Sequence, residues 1–365
     1  MFRFGWFILP ILATGLVIIE ASRPAIGCCP ASPSGKAIVN ADQTVIILWD
    51  AAAKTQHFIR KASFKSDADD FGFIVPSPTQ PELAESGDAA FPALKKLTEP
   101  EVVKQRRPVG GIGCGCAAER NAGLAATRSA DVRVLQEKLV AGFHATVLEA
   151  TSAVALTDWL RDHGYANSPE ITAWAAPYVA AGWKFTAMKV AKKVEDAKDQ
   201  GVTAAALRLS FKTDKPLFPY REPDPSSAAD QLKAKSRLLR IYFLAEARYR
   251  GAMAGAEWSG KVAWAGRVSP DDRGNVLGML GLPKETGPAD WWLTEFEDHW
   301  PYRAAPSDVT FTLDPEQLPV RRDPIVEYVA APLPPDGTVI LMALTLVLVP
   351  GLTRIRHWFR ASESK

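Results

Sequence analysis

The chain has 365 residues, 47% of them hydrophobic and 23% charged, with 28 prolines, 11 tryptophans and a formal net charge of +2. This balance excludes a disordered chain, a collagen-like repeat and a polybasic nucleic-acid-binding protein. The length suits about two domains, and the proline content favours many short elements joined by ordered turns.

Residues 1–27 read as a secretory signal. Arg3 precedes an apolar stretch from Phe4 to Ile19, and Ala25 and Gly27 stand at the small-residue positions of a cut before Cys28. A lipoprotein pattern around Cys28 is the alternative, though it lacks the large aliphatic residue usual three places ahead of the cysteine. An uncleaved anchor or a core helix is a further one.

The exported part opens with strand patterns. Residues 44–49 form a buried strand and residues 55–64 a half-exposed one, paired as a hairpin across residues 50–53. Residues 71–76 form a third, stopped by Pro76-Ser77-Pro78, and a short helix covers residues 88–97. Later strands are expected over residues 144–148, 184–190, 205–211, 238–245, 261–265, 291–296 and 308–313. Residues 152–163 carry Val154, Ala155, Trp159 and Leu160 at helical spacing, with Gly164 as a C′ stop. Ser168-Pro169 is an N-cap followed by Pro at the first helical position, opening a helix with Ile171, Trp174 and Tyr178 on one side, which Pro177 should kink or shorten. A fourth helix is expected around residues 275–280.

No strand, long helix, strand alternation recurs, so the fold class is α+β with mainly antiparallel strands and a few short helices. Ser63-Phe64-Lys65-Ser66-Asp67 is echoed by Ser210-Phe211-Lys212-Thr213-Asp214, an offset of 147 residues that suggests two related subdomains, coincidence being the alternative. The division adopted is a disulfide-closed subdomain over residues 28–125 and a second α+β subdomain over residues 126–330.

A second apolar run, residues 339–352, carries no charge. It is shorter than the roughly 20 residues a membrane helix needs, but Arg354, Arg356 and Arg360 can snorkel and Trp358 and Phe359 suit a membrane surface. The expected anchor therefore spans residues 338–359, with residues 360–365 as a basic cytoplasmic tail by the positive-inside rule. A core or interfacial helix is the alternative. The signal carries +1 and residues 338–365 carry +3, leaving −2 for the exported part, which removes the only compositional support for nucleic-acid binding.

Four cysteines fall in two pairs, Cys28-Cys29 and Cys114-Gly115-Cys116. In an oxidising compartment they read as disulfides joining the first pair to the second, with the pairing open. Soft thiolates for a metal or redox site, or lipidation of Cys28, are the rival readings.

No nucleophile elbow, phosphate loop, zinc motif or dinucleotide fingerprint occurs, so no catalytic, cofactor or metal residue is assigned. His57, His144, His163, His299 and His357 stand singly and read as structural or surface groups. Asp67, Asp69 and Asp70 read as a solvated turn before calcium ligands, and Trp291, Trp292 and Trp300 as core before glycan platforms.

Several motifs resemble a bacterial family of exported proteins catalogued as domain of unknown function 2330. They are Cys28-Cys29, Asp67 through Pro78, Ala90-Phe91-Pro92-Ala93-Leu94 with Thr98-Glu99-Pro100, and Ala155 through Leu160 with Gly164-Tyr165. Tyr178-Val179 with Gly182-Trp183-Lys184-Phe185, and Pro216-Leu217-Phe218-Pro219-Tyr220, complete the set. The resemblance implies an exported, membrane-associated protein and supplies no reaction or ligand. The expected function is a non-catalytic binding or structural module of the cell envelope. It would be held at the cytoplasmic membrane by the C-terminal helix, have an envelope protein as partner, and face the periplasm. A thiol-redox or metal-handling protein using the cysteines and a glycan-binding domain are the alternatives.

Overall fold

The computed structural model describes residues 30–31, 39–40, 43–60, 64–65, 72–107, 132–165, 167–190, 206–223, 237–300 and 305–330. The expected signal, Cys28, Cys29, Cys114, Cys116, the acidic residues 67–70, His357 and the apolar run lie outside these residues. Among the described residues no helix is long and apolar enough to cross a membrane. What is described is mostly antiparallel and mixed β-sheet with four short helices, an α+β mix. The chain divides into two compact units, one of residues 1–98 and 119–321, the other of residues 99–118 and 322–365.

A seven-stranded sheet organises the first unit. Its order is β16 (Lys261–Val268), β17 (Trp291–Trp300), β14 (Arg237–Ala245), β3 (Gln43–Asp50), β4 (Thr55–Arg60), β12 (Ala206–Lys212) and β7 (Glu82–Ser86). Only β14 and β3 run parallel; the other neighbours are antiparallel. The expected hairpin is there, β3 and β4 pairing Asp50 with Thr55 across a four-residue turn. A five-stranded sheet has the order β1 (Pro30–Ala31), β6 (Gly72–Ser77), β11 (Lys184–Val190), β10 (Phe143–Ala150), β9 (Val132–Val140). A smaller one joins β13 (Leu217–Phe218), β18 (Val309–Leu313) and β15 (Tyr249–Met253), and β2 (Val39–Asn40) pairs with β5 (Phe64–Lys65). The two echo segments are thus paired differently: Phe64-Lys65 lies in that two-stranded pair, whereas Phe211-Lys212 pairs with Gln56 and Thr55 in the large sheet.

Three apolar clusters stack these elements into four layers. The inner cluster joins Val45, Ile47, Phe58, Leu209, Phe243 and Phe296 of the seven-stranded sheet to Phe73, Val147 and Met188 of the five-stranded one and to Val309 and Phe311 of the small sheet. On the far face of the large sheet, Ile46, Leu48, Tyr242 and Trp291 meet α1 (Ala90–Thr98) through Phe91 and Leu94, and α4 (Pro270–Met279) through Val276 and Leu277. On the far face of the five-stranded sheet, Ile74, Leu148 and Phe185 meet α2 (Ala153–Asp162) and α3 (Pro169–Ala180) through Leu156, Trp159, Trp174 and Tyr178. Residues 291–296 are therefore buried without alternation, since a strand covered on both faces has no solvent side.

The helix ends follow their sequence signals. Ser152, Ser168 and Ser269 each accept a backbone N–H in the first turn, from Ala155, Ile171 and Asp272. Gly164, Gly182 and Gly281 sit at positive φ just past α2, α3 and α4, and the following residues bond back to Leu160, Tyr178 and Leu277, the Schellman arrangement. Helix α3 continues past Pro177 to Ala180 rather than ending there, because that cap and the Trp174 and Tyr178 packing hold its last turn. Helix α4 begins five residues ahead of the expected start. Its Ser269-Pro270 opening repeats the Ser168-Pro169 signal.

The described part of the second unit is a parallel ribbon of two six-residue strands, β8 (Val102–Arg107) and β19 (Ile325–Ala330), in the register Ile325 to Val102 through Ala330 to Arg107.

Candidate functional site

The strand pattern that buries Leu48 and Ile59 on the helix-covered face of the large sheet also carries His57 and Ser210 onto that face. Ser210 sits directly opposite His57 in the β12–β4 ladder and Glu82 opposite Ser210 in the β12–β7 ladder. Side chains directly opposite in an antiparallel pair lie about 4.5–5.5 Å apart at Cβ, so register alone brings them together. His57 Nδ1 and Ser210 Oγ are 2.8 Å apart. The histidine read as solitary thus has a hydroxyl partner 153 positions away, with Asp50 and Lys212 one step along the same face.

Burial is the largest influence on the imidazole, lowering its pKa to about 4, and the Arg208 charge adds to this while Asp50 opposes it. The ring is therefore neutral at pH 7. Arg208 is itself buried, which lowers its pKa, and its Nη1 donates to the carbonyls of Leu280 (2.8 Å) and Gly281 (3.2 Å). A guanidinium on the carbonyls of the cap just past α4 complements the negative end of the helix dipole and fixes α4 to the sheet.

As chemistry, the arrangement is a hydroxyl beside a weakly basic imidazole. A general base works best with a pKa near the working pH, and His57 lies well below it. Strand β12 runs between β4 and β7, so the backbone amides around Ser210 face strand partners rather than an open oxyanion site.

A second polar cluster, part buried and part half-buried, surrounds residues 217–221. Asp298 is fully buried, and its Oδ2 accepts from Tyr220 Oη (2.8 Å) and Trp258 Nε1 (2.9 Å). Two glycines make room for that indole, since a Cβ at Gly251 or Gly260 would fall 2.1 or 2.3 Å from it. Asp308 Oδ1 accepts from Tyr178 Oη (2.7 Å) and from the backbone N–H groups of Tyr220 (3.0 Å) and Arg221 (3.1 Å). Burial raises the Asp308 pKa, and these donors pull against it. Trp174 Nε1 donates to Arg221 O, and the side chain of Gln56 bonds both backbone groups of Leu217. Residues 217–221 are thereby clamped by polar contacts from the seven-stranded sheet, from Asp308 just ahead of β18 and from α3.

The other histidines fall apart from one another. His163 caps α2, with Nδ1 2.8 Å from Trp159 O and its ring stacked on Trp159. His144 is exposed on β10 beside Glu137, Leu139 and Thr146 at a shallow surface depression, and His299 is exposed on β17. Trp291 and Trp292 are buried in the large sheet, the core role expected of them, while the cysteines lie outside the described residues. Among the described residues no cluster of three His, Cys, Asp or Glu is placed to hold a metal ion. The pair that sequence reasoning missed is His57 with Ser210. Its only trace is that both lie at alternate, partly polar positions of predicted strands.

The exposed apolar residues have a different address. Ten large apolar side chains are exposed among the described residues, and four of them, Val102, Val103, Ile325 and Tyr328, fall on the ribbon of β8 and β19.

A family model described as an uncharacterised protein conserved in bacteria, domain of unknown function 2330, matches residues 21–312. The chain belongs to this family. The pieces that carry the domain of unknown function 2330 resemblance take structural positions: Ala155–Leu160 with Gly164 builds and caps α2, Gly182 caps α3, Phe73–Pro76 lies in β6, and Pro216–Tyr220 is the clamped segment. No curated protein and no solved structure matches the chain.

Proposed function

We propose that this member of the domain of unknown function 2330 family is a non-catalytic binding module of the bacterial cell envelope, exported by residues 1–27 and held at the cytoplasmic membrane by residues 338–359. The observation that carries the binding role is the gathering of exposed apolar side chains on the ribbon of β8 and β19. A two-stranded ribbon is marginal in water by itself, and a parallel pair ordinarily has its faces covered, so exposed Val102, Ile325 and Tyr328 favour a macromolecular partner. The neutral His57 beside a laddered Ser210 favours a polar contact of the sheet over a hydrolase centre.

The anchor reading rests on the uncharged run of residues 339–352 and the arginines that follow it, beginning nine residues after β19 ends. Expressed at full length in a Gram-negative host, the protein should stay in the membrane fraction after alkaline carbonate washing and be digested by protease added to the periplasmic side. Recovery in the soluble fraction, or protection from that protease, overturns the topology. A fluorophosphonate probe should leave the protein unlabelled, and labelling that Ser210→Ala abolishes overturns the non-catalytic assignment.

A further inference from the structure

We infer that the partner of the β8–β19 ribbon is a second copy of this chain, packed face to face about a twofold axis that runs along the strands. The inference rests on the membrane-anchored reading for its strength, though its geometry comes from the ribbon alone. Paired residues of neighbouring strands project to the same face. One face therefore presents Val102 beside Ile325 and, one step along, Lys104 beside Glu327. Val102 and Ile325 are 53% and 54% exposed. The Lys104 and Glu327 side chains are 66% and 55% exposed, and their ion pair spans 3.6 Å.

A twofold axis along the strands has a definite consequence for this face. It lays β8 of one copy over β19 of the other at the same height. Val102 then meets the partner's Ile325, and Lys104 meets the partner's Glu327, twice over by symmetry. Over these two steps the face is self-complementary in both apolar character and charge. Because the ribbon is parallel, the same axis sends the C-terminal ends of both β19 strands in one direction, as two chains anchored in one membrane require. An axis perpendicular to the strands would send them in opposite directions.

Two six-residue strands offer far less than the ~800 Å² per partner of a standard interface. The contact is therefore weak in solution and is strengthened where a shared membrane raises the effective concentration.

The test uses the full-length chain in phospholipid vesicles, with donor and acceptor fluorescent domains fused at the C-terminus. Wild-type copies should show energy transfer that rises with the protein-to-lipid ratio, above that of an unrelated anchored protein. Lys104→Glu alone and Glu327→Lys alone should each weaken association about tenfold, since two attractive exposed pairs become repulsive. Mixing Lys104→Glu donors with Glu327→Lys acceptors should restore it, because every pair across the twofold is then attractive while the pair inside each chain is still like-charged. A merely structural role for the ion pair predicts no such rescue.

Transfer no greater than the unrelated control, unaffected single variants, or a mixture as weak as the singles would each overturn the inference. A chain that fails to float with the vesicles counts against the anchoring instead. The same variants and mixture are then compared by sedimentation equilibrium at millimolar protein, where the absence of reversible dimer overturns the ribbon contact itself.

Discussion

Strand β17 and the ribbon of β8 and β19 are both extended segments rich in β-branched and aromatic residues, yet their surroundings are opposite. β17 lies between β16 and β14 with apolar clusters on both faces, and Trp291 through Phe296 are all buried. Among the described residues each strand of the ribbon has one strand neighbour, and Val102, Val103, Ile325 and Tyr328 are exposed. Apolar content therefore states what a strand can bury, and the number of layers around it decides what it does bury. In this protein the residues left uncovered are the better guide to interaction.

The contrast can be broken most forcefully at Phe296, which packs on Phe243, Trp258 and Phe311 with ring centroids 6.5, 5.4 and 5.4 Å away. Phe296→Ala should lower stability by about 3–5 kcal/mol in urea unfolding of the full chain, as for other buried aromatics. A loss below about 1 kcal/mol would mean that the inner cluster is not a packed core.

Next in size is Asp298. Replacing it with Ala strands the Tyr220 hydroxyl and the Trp258 indole N–H in the interior, at about 2–4 kcal/mol. Adding Tyr220→Phe to that variant should cost less than Tyr220→Phe costs the wild type, and strict additivity would show that the network is not coupled.

His57 gives the third effect, and its sign follows from linkage. With a folded pKa of about 4 against 6.5 for an unperturbed imidazole, the unfolded chain takes up the proton first as pH falls. The contribution is complete above pH 6.5 and is lost progressively as pH falls to 4, by at most about 3 kcal/mol and less in practice because the ring is only partly buried. His57→Gln, which can still bond Ser210, should flatten that part of the stability curve. An acid limb as steep as wild type would remove His57 as its source.

The smallest effect belongs to the ribbon. Ile325→Thr should shift the main unfolding transition by no more than about 0.5 kcal/mol, as exposed substitutions usually do. The same substitution should weaken self-association in vesicles. A large loss of stability would mean that the exposed Ile325 side chain is a core group after all.

Much of the fold was legible in local pattern. The β3–β4 hairpin, the strands β6, β10, β11, β12, β14, β16, β17 and β18, and the Ser-capped, Gly-stopped α2 and α3 fall within a few residues of their predicted places. Strands β7, β8, β9, β15 and β19, and the two-residue β1, β2 and β13, have no counterpart among the strands expected from the sequence. β9 shows why. Its sequence Val-Arg-Val-Leu-Gln-Glu-Lys-Leu-Val carries a polar run through its middle, and as the terminal strand of its sheet it leaves Val134 and Leu139 exposed, so no clean alternation marks it. The candidate site was less legible still. His57 and Ser210 become neighbours through the register of β12 on β4, and nothing local to either residue encodes that pairing.

By itself the sequence determined the α+β class, the helix caps, most strand positions and the membership in the domain of unknown function 2330 family, because each depends on residue periodicity or on a few adjacent residues. The tertiary structure decided the rest. Which sheet received each strand, the burial of β17 on both faces, the clamp of Asp298 and Asp308 on residues 217–221 and the meeting of His57 with Ser210 all join residues tens to hundreds of positions apart. Such contacts are chosen by the packing of whole layers, and only the folded chain brings those layers together.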